Sequence, residues 1–142
     1  MKGFTLIEVL IVIAIVTILV GLGLNINIDT YKGYLFRSER SVLVSTLERA
    51  RSRAMNNYFE TTHGVCYIAP NYIIFRGTTC AEGSPTNDVI PENSVVNVSG
   101  LSASFPVIFE QLSGRADEKE ITLSEGGRTS VISINSEGTI NW

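Results

Sequence analysis

Between Phe4 and Leu24 the chain runs for 21 residues with a single charged side chain, Glu8. A helix of that length measures about 31 Å, which matches the hydrocarbon core of a bilayer. The run is apolar on every face, unlike a half-exposed helix on a soluble domain. Its length favours a membrane helix over a buried core helix. A cleaved secretory signal would have a shorter apolar stretch, about 7–15 residues, followed by a small-residue cleavage site. Here Asn25-Ile26-Asn27-Ile28-Asp29 follows instead, so an uncleaved anchor stays open. Lys2 precedes the run and Asp29 follows it. The positive-inside rule then places the N-terminus in the cytoplasm and the rest of the chain outside.

Glu8 is the odd residue of this run. A carboxylate in hydrocarbon is costly and marks a functional position, for which a partner must be named. Thr5 is a weak donor, and Lys2 can snorkel to the interface. A cut between Gly3 and Phe4 would create a third partner, the α-amine of Phe4. Within one helix that amine and Glu8 stand four residues apart, on one face. Between copies, the amine of one chain could meet Glu8 of the next. Such a buried pair is tolerable only when both charges are partnered, and it would set the register of polymerising helices.

Lys2-Gly3-Phe4-Thr5-Leu6-Ile7-Glu8 resembles the cleavage and methylation signature of type IV prepilins and pseudopilins. The resemblance implies that residues 1–3 are a leader and that a prepilin peptidase cuts between Gly3 and Phe4. It also implies that the same enzyme N-methylates Phe4. Residues 4–28 would form the transmembrane and filament-core helix, with Glu8 and Phe4 drawing the subunit into a helical filament. The implied partners are other pilin or pseudopilin subunits, the inner-membrane assembly platform and membrane lipid. The implied location is the inner membrane, then a periplasmic pseudopilus or a surface pilus. Where many relatives carry proline some twenty residues past the cut, this chain has Asn25, and Gly21 and Gly23 could loosen the helix instead.

Residues 29–58 read as an amphipathic continuation of that helix. Leu43, Leu47, Ala50, Ala54 and Tyr58 recur at helical steps along one stripe. Arg37, Glu39, Arg40, Glu48, Arg49, Arg51 and Arg53 fall on the other faces, and Lys32-Gly33 is a candidate interruption. Five of the 11 basic residues lie between Arg37 and Arg53. A phosphate-binding patch is one reading of them. The intervening glutamates and the absence of interleaved aromatics favour a solvated face.

Residues 59–142 read as short strands separated by turn signals. Gly64–Ala69 and Tyr72–Arg76 flank a hairpin at Pro70-Asn71. Further strands are expected at Glu92–Ser99, Ser104–Gln111, Glu120–Ser124, Thr129–Asn135 and Gly138–Asn141. Pro106 should hold its strand at an edge or bulge. Short connections favour antiparallel pairing. The expected fold class is therefore α+β, a long N-terminal helix packed on an antiparallel sheet or sandwich, pilin-like in outline. Cys66 and Cys80 are an even pair outside the cytoplasm, most simply a disulfide. The segments Phe109–Asp117, Ile121–Leu123 and Ile132–Ile140 resemble minor pilins and H-type pseudopilins, which implies a subunit of low abundance. A major pilin stays open.

No catalytic or cofactor-binding pattern emerges. His63 is the sole histidine, and no nucleophile elbow accompanies it. Asp117, Glu118 and Glu120 match no calcium-loop pattern and read as a solvated turn. Asn97-Val98-Ser99 is a glycosylation sequon, a short and unspecific pattern. The net charge of −3 argues against DNA as a main partner. Arg115 and Arg128, near expected turns, are the residues that could touch phosphates. The expected function is structural. The chain would be a subunit of a type IV pilus, a type II secretion pseudopilus or a DNA-uptake filament. The alternatives are a filament-borne module that binds DNA, a surface or a secreted substrate, and a plain anchor that never polymerises.

Overall fold

The computed structural model describes residues 3–23, 28–92 and 96–142. The chain forms two compact units, residues 1–32 and residues 33–142.

The first unit holds α1, Leu6–Gly23, eighteen residues long. Its apolar side chains are exposed from Leu6 to Val20, with Leu6 at 81% and Ile18 at 62%. Only Thr17 adds a polar group to its middle, and that hydroxyl donates to the carbonyls of Ile13 and Ala14, both at 2.9 Å. At 1.5 Å per residue α1 measures about 27 Å, short of the roughly 30 Å hydrocarbon core. Among the described residues no helix is long and apolar enough to cross a membrane. The continuous helix expected from Phe4 onward is thus shorter here, with Phe4 and Thr5 outside it. Asn25 lies outside the described residues.

The second helix, α2, spans Ile28–Met55. Lys32-Gly33 does not interrupt it, because a glycine inside a helix costs only about 1 kcal/mol and packing outweighs that. From Gly33 onward α2 belongs to the second unit. The expected stripe faces the core: Leu43, Leu47, Ala50 and Ala54 are fully buried, joined by Phe36 and Val44. Tyr58 does not continue it. The helix ends at Met55, a turn follows, and Tyr58 begins a short 3-10 segment, Tyr58–Glu60, where it is half exposed. Glu39 also departs from the expectation of a solvated face: it is 3% exposed and accepts a hydrogen bond from Tyr72 Oη at 2.7 Å.

Eight strands follow among the described residues: β1 His63–Ile68, β2 Asn71–Arg76, β3 Asp88–Pro91, β4 Asn97–Ser99, β5 Val107–Phe109, β6 Lys119–Glu125, β7 Arg128–Ile134 and β8 Ile140–Asn141. They form two four-stranded sheets, in the orders β3-β2-β1-β5 and β4-β6-β7-β8. Every pairing is antiparallel. The fold class is α+β, consistent with a pilin-like fold. Of the strand expected over Glu92–Ser99, β4 forms at its end, residues 93–95 lie outside the described residues, and an unexpected β3 precedes it in the other sheet. The strand expected over Ser104–Gln111 shrinks to β5. It is an edge strand starting just after Pro106, whose ring removes a ladder donor.

The core lies between α2 and both sheets. Leu43, Leu47 and Ala50 share one cluster with Val65, Ile74 and Phe109 of the first sheet and Ile121, Leu123 and Ile132 of the second. In the first sheet β1 and β2 are buried on both faces. Val65 and Ile74 point to the main core, while Cys66, Ile73 and Phe75 form a second cluster with Cys80 packed against it. β6 and β7 meet at Gly126-Gly127, whose φ values of 53° and 85° suit a two-residue hairpin turn.

Candidate functional site

The residues singled out at the N-terminus converge on the first turn of α1. Thr5 offers its carbonyl to the amides of Glu8 and Val9, at 3.1 and 3.3 Å, and so opens the helix. Thr5-Leu6-Ile7-Glu8 has capping-box spacing, which places a carboxylate beside the amides and the positive dipole end of a helix start.

Gly3, Phe4 and Glu8 are all open to their surroundings. A side chain at Gly3 would meet nothing within 4 Å. Phe4 is 84% exposed. Phe4, Glu8, Val9, Val12 and Ile13 line one groove of about 260 Å³ along α1. Phe4 and Glu8 thus border the same groove, although Phe4 precedes the helix. Among the described residues no hydrogen bond or ion pair involves the Glu8 carboxylate. Thr17, by contrast, is satisfied within its own helix. Lys2, the other sequence candidate for pairing with Glu8, lies outside the described residues.

The two cysteines are bonded. Cys66 on β1 and Cys80 in the segment after β2 form a disulfide across 14 positions, with Cα atoms 6.4 Å apart. Cys66 is fully buried, so the bond pins a polar surface segment to the outer face of the first sheet.

The other sequence candidates do not form a site. His63 begins β1 and is fully buried; its Nδ1 lies 3.2 Å from the Thr61 carbonyl. Burial and the neighbouring Arg53 and Arg76 guanidinium groups hold its pKa below the ordinary 6.5, and the Thr61 contact only partly opposes them. Asp117 and Glu118 are exposed on the approach to β6, and Glu120 is exposed near its start. Asn97 and Ser99 of the sequon lie on β4, an edge strand, and the Ser99 hydroxyl donates to the Thr122 carbonyl at 3.2 Å. Arg115 is exposed, and Arg128 lies beside Gly33 of α2.

Sequence reasoning missed the polar cluster that joins α2 to the first sheet. Beside the Tyr72–Glu39 bond, the ring centroids of Tyr67 and Tyr72 are 5.4 Å apart. Burial and Glu92 push the Tyr67 hydroxyl up to about 12, and burial and Glu39 push Tyr72 well above the ordinary phenol range. One signal was available in the sequence. Glu39 sits four residues before Leu43, so a helix that buries Leu43 carries Glu39 close to its buried side.

Residues 1–24 match the family model of the prokaryotic N-terminal methylation motif. No curated protein and no solved structure matches the chain. The matched residues contain the Gly3-Phe4 junction, Glu8 and all of α1. The chain carries the N-terminal signature of the type IV prepilin and pseudopilin family.

Proposed function

We propose that this chain is a structural subunit of a type IV pilus or type II secretion pseudopilus. A prepilin peptidase would cut it between Gly3 and Phe4 and methylate Phe4, and it would then assemble through α1. The observation that carries this reading is the methylation motif over residues 1–24, with Phe4 and Glu8 lining one groove at the start of an apolar helix. A helix whose apolar side chains find no core of their own must bury them in lipid or in other helices. Before assembly the partner is the bilayer of the inner membrane, N-terminus inward. The apolar run of 21 residues extends past both ends of α1, and local thinning of the bilayer also accommodates a short helix. After assembly the partners are the α1 helices of neighbouring subunits, delivered by the inner-membrane platform. The Glu8 carboxylate then meets the methylated amine of Phe4 in the next chain.

The C-terminal segments Phe109–Asp117 and Ile132–Ile140 support a minor subunit of the H-type pseudopilin kind. In the structure they lie together against α2. A Cβ at Gly138 would stand 1.9 Å from the Gly114 carbonyl oxygen and 3.2 Å from Arg51 Nε, so two glycine turns and one arginine occupy a single tight junction.

The mass of the intact mature protein tests the reading. It should start at Phe4 and carry one extra methyl group; a mature chain that still begins at Met1 sinks it. Glu8→Ala should leave the chain in the membrane and abolish most of its incorporation into filaments, and unchanged incorporation would refute the pairing role of Glu8.

A further inference from the structure

The strand region and α2 carry opposite charge within one unit. Residues 33–58 hold five arginines against two glutamates, a net charge of +3. Residues 59–142 hold four basic residues against ten acidic ones, a net charge of −6. One of those two glutamates, Glu39, is buried in the core. Two of the five arginines are engaged: Arg53 pairs with Asp88, and Arg51 donates to the Glu137 carbonyl at 3.1 Å. Arg37, Arg40 and Arg49 take part in no ion pair among the described residues, and Arg37 and Arg49 are exposed. Arg37 and Arg49 are twelve positions apart, about 18 Å along the helix. Between them Ser38, Ser41 and Ser45 are exposed and small, and Glu48 is the one exposed acid of this stretch.

The acidic counterpart is concave. Glu118, Lys119 and Glu120 line a groove of about 350 Å³ with Ser133, Ile134 and Asn135. The Lys119 ammonium is turned to backbone, donating to the Pro106 and Phe105 carbonyls at 2.7 and 3.0 Å. The two carboxylates are left to define the sign of the groove, and exposed Asp117 adds to it.

We infer that the arginine-bearing outer face of α2 docks on the Glu118–Glu120 groove of a second copy of this chain. The two surfaces differ in sign and belong to the same molecule, so the helix face of one copy meets its complement in the groove of another. Repeated head to tail with a rotation that does not close, such a contact builds an open helical array. Opposed charge patches of this kind set partner choice and register. The inference rests on the filament reading above and adds to it a contact outside α1.

Two differently tagged full-length copies, co-expressed with the processing enzyme and purified together from solubilised membranes, test it. Copies carrying Arg37→Glu and Arg49→Glu should co-purify with each other about tenfold less than wild type, as should copies carrying Glu118→Arg and Glu120→Arg. Pairing one variant with the other should restore co-purification, because each interface of the mixed pair is again complementary. Wild-type association should weaken as salt rises. Thermal melting of each variant near wild type excludes unfolding as the cause. Three outcomes overturn the inference: variants that associate normally, a mixed pair no better than either variant alone, or no association of wild-type copies. A fourth is loss of binding to anionic lipid vesicles by the α2 variant with copy association unchanged, since the arginine face would then serve the membrane. In each case a mature start at methylated Phe4 leaves the processing reading standing, and a start at Met1 removes it.

Discussion

Tyr72 Oη donates to Glu39 Oε1 at 2.7 Å inside the interface between α2 and the first sheet, with both residues almost fully buried. A carboxylate in such a place is stable only when hydrogen bonded. Tyr72→Phe removes the donor and keeps the ring. It should destabilise the second unit by about 1–3 kcal/mol, the cost of weakening the hydrogen bonding of a buried charged group. Thermal or urea unfolding measures this directly. An unchanged midpoint would show that the bond contributes nothing net.

The same cluster predicts an alkaline transition. Tyr67 titrates at about 12 in the folded chain against an ordinary 10, because of burial and Glu92. A raised folded-state pKa means that the folded state holds its proton more tightly. The stabilisation is complete below pH 10 and is lost as pH rises through about 12. Tyrosinate absorbance should show a late phase above the ordinary phenol range, and Tyr67→Phe should remove part of it. A single phase centred at the ordinary value would contradict the packing of Tyr67 against Glu92.

His63 behaves in the opposite sense. Its folded-state pKa lies below 6.5, mainly through burial, so the folded state resists protonation. Stability should be full above that value and decline as pH falls below it. His63→Gln should flatten the decline, which unfolding midpoints measured across mildly acidic pH would reveal.

Gly138 and Gly83 make a matched pair of substitutions. Both have positive φ, 74° and 75°, but an added Cβ meets the Gly114 carbonyl at 1.9 Å in the first case and nothing within 4 Å in the second. Gly83→Ala should cost about 1–2 kcal/mol of backbone strain alone. Gly138→Ala should cost distinctly more, because backbone must move in the junction with Arg51. Equal losses for the two variants would argue against that junction.

Removing the Cys66–Cys80 bond by Cys80→Ser should cost about 3 kcal/mol in the chain-entropy account. Reductant should shift the gel mobility of the wild-type chain and leave that of the variant unchanged. Two free thiols in purified wild-type protein would contradict the pairing.

Much of this architecture was legible in local pattern. The Leu43-Leu47-Ala50-Ala54 stripe, the Pro70 hairpin and the strands expected over Glu120–Ser124 and Thr129–Asn135 each depend on residues close together in the chain, and local pattern reads such residues well. The motif around Gly3, Phe4 and Glu8 is local too, since the matched residues 1–24 are consecutive in the chain. Elsewhere the pattern was silent or misleading. β3 went unrecognised because Asp88–Pro91 is short, partly exposed and ends in proline, and it becomes a strand only because the β2 edge accepts it.

What the sequence determined by itself is the apolar α1 with its single acid, the methylation motif that spans it, and an α+β unit with an amphipathic helix. These follow from side-chain chemistry repeated at short range. Tertiary structure alone decided that Glu39 is buried against Tyr72, that Gly114 and Gly138 meet over Arg51, and that the chain separates a basic helix face from an acidic groove. Those relationships join residues up to 87 positions apart, as in Arg51 and Gly138. No periodicity encodes such a pairing, because it arises only when the helix and the sheets close on one core.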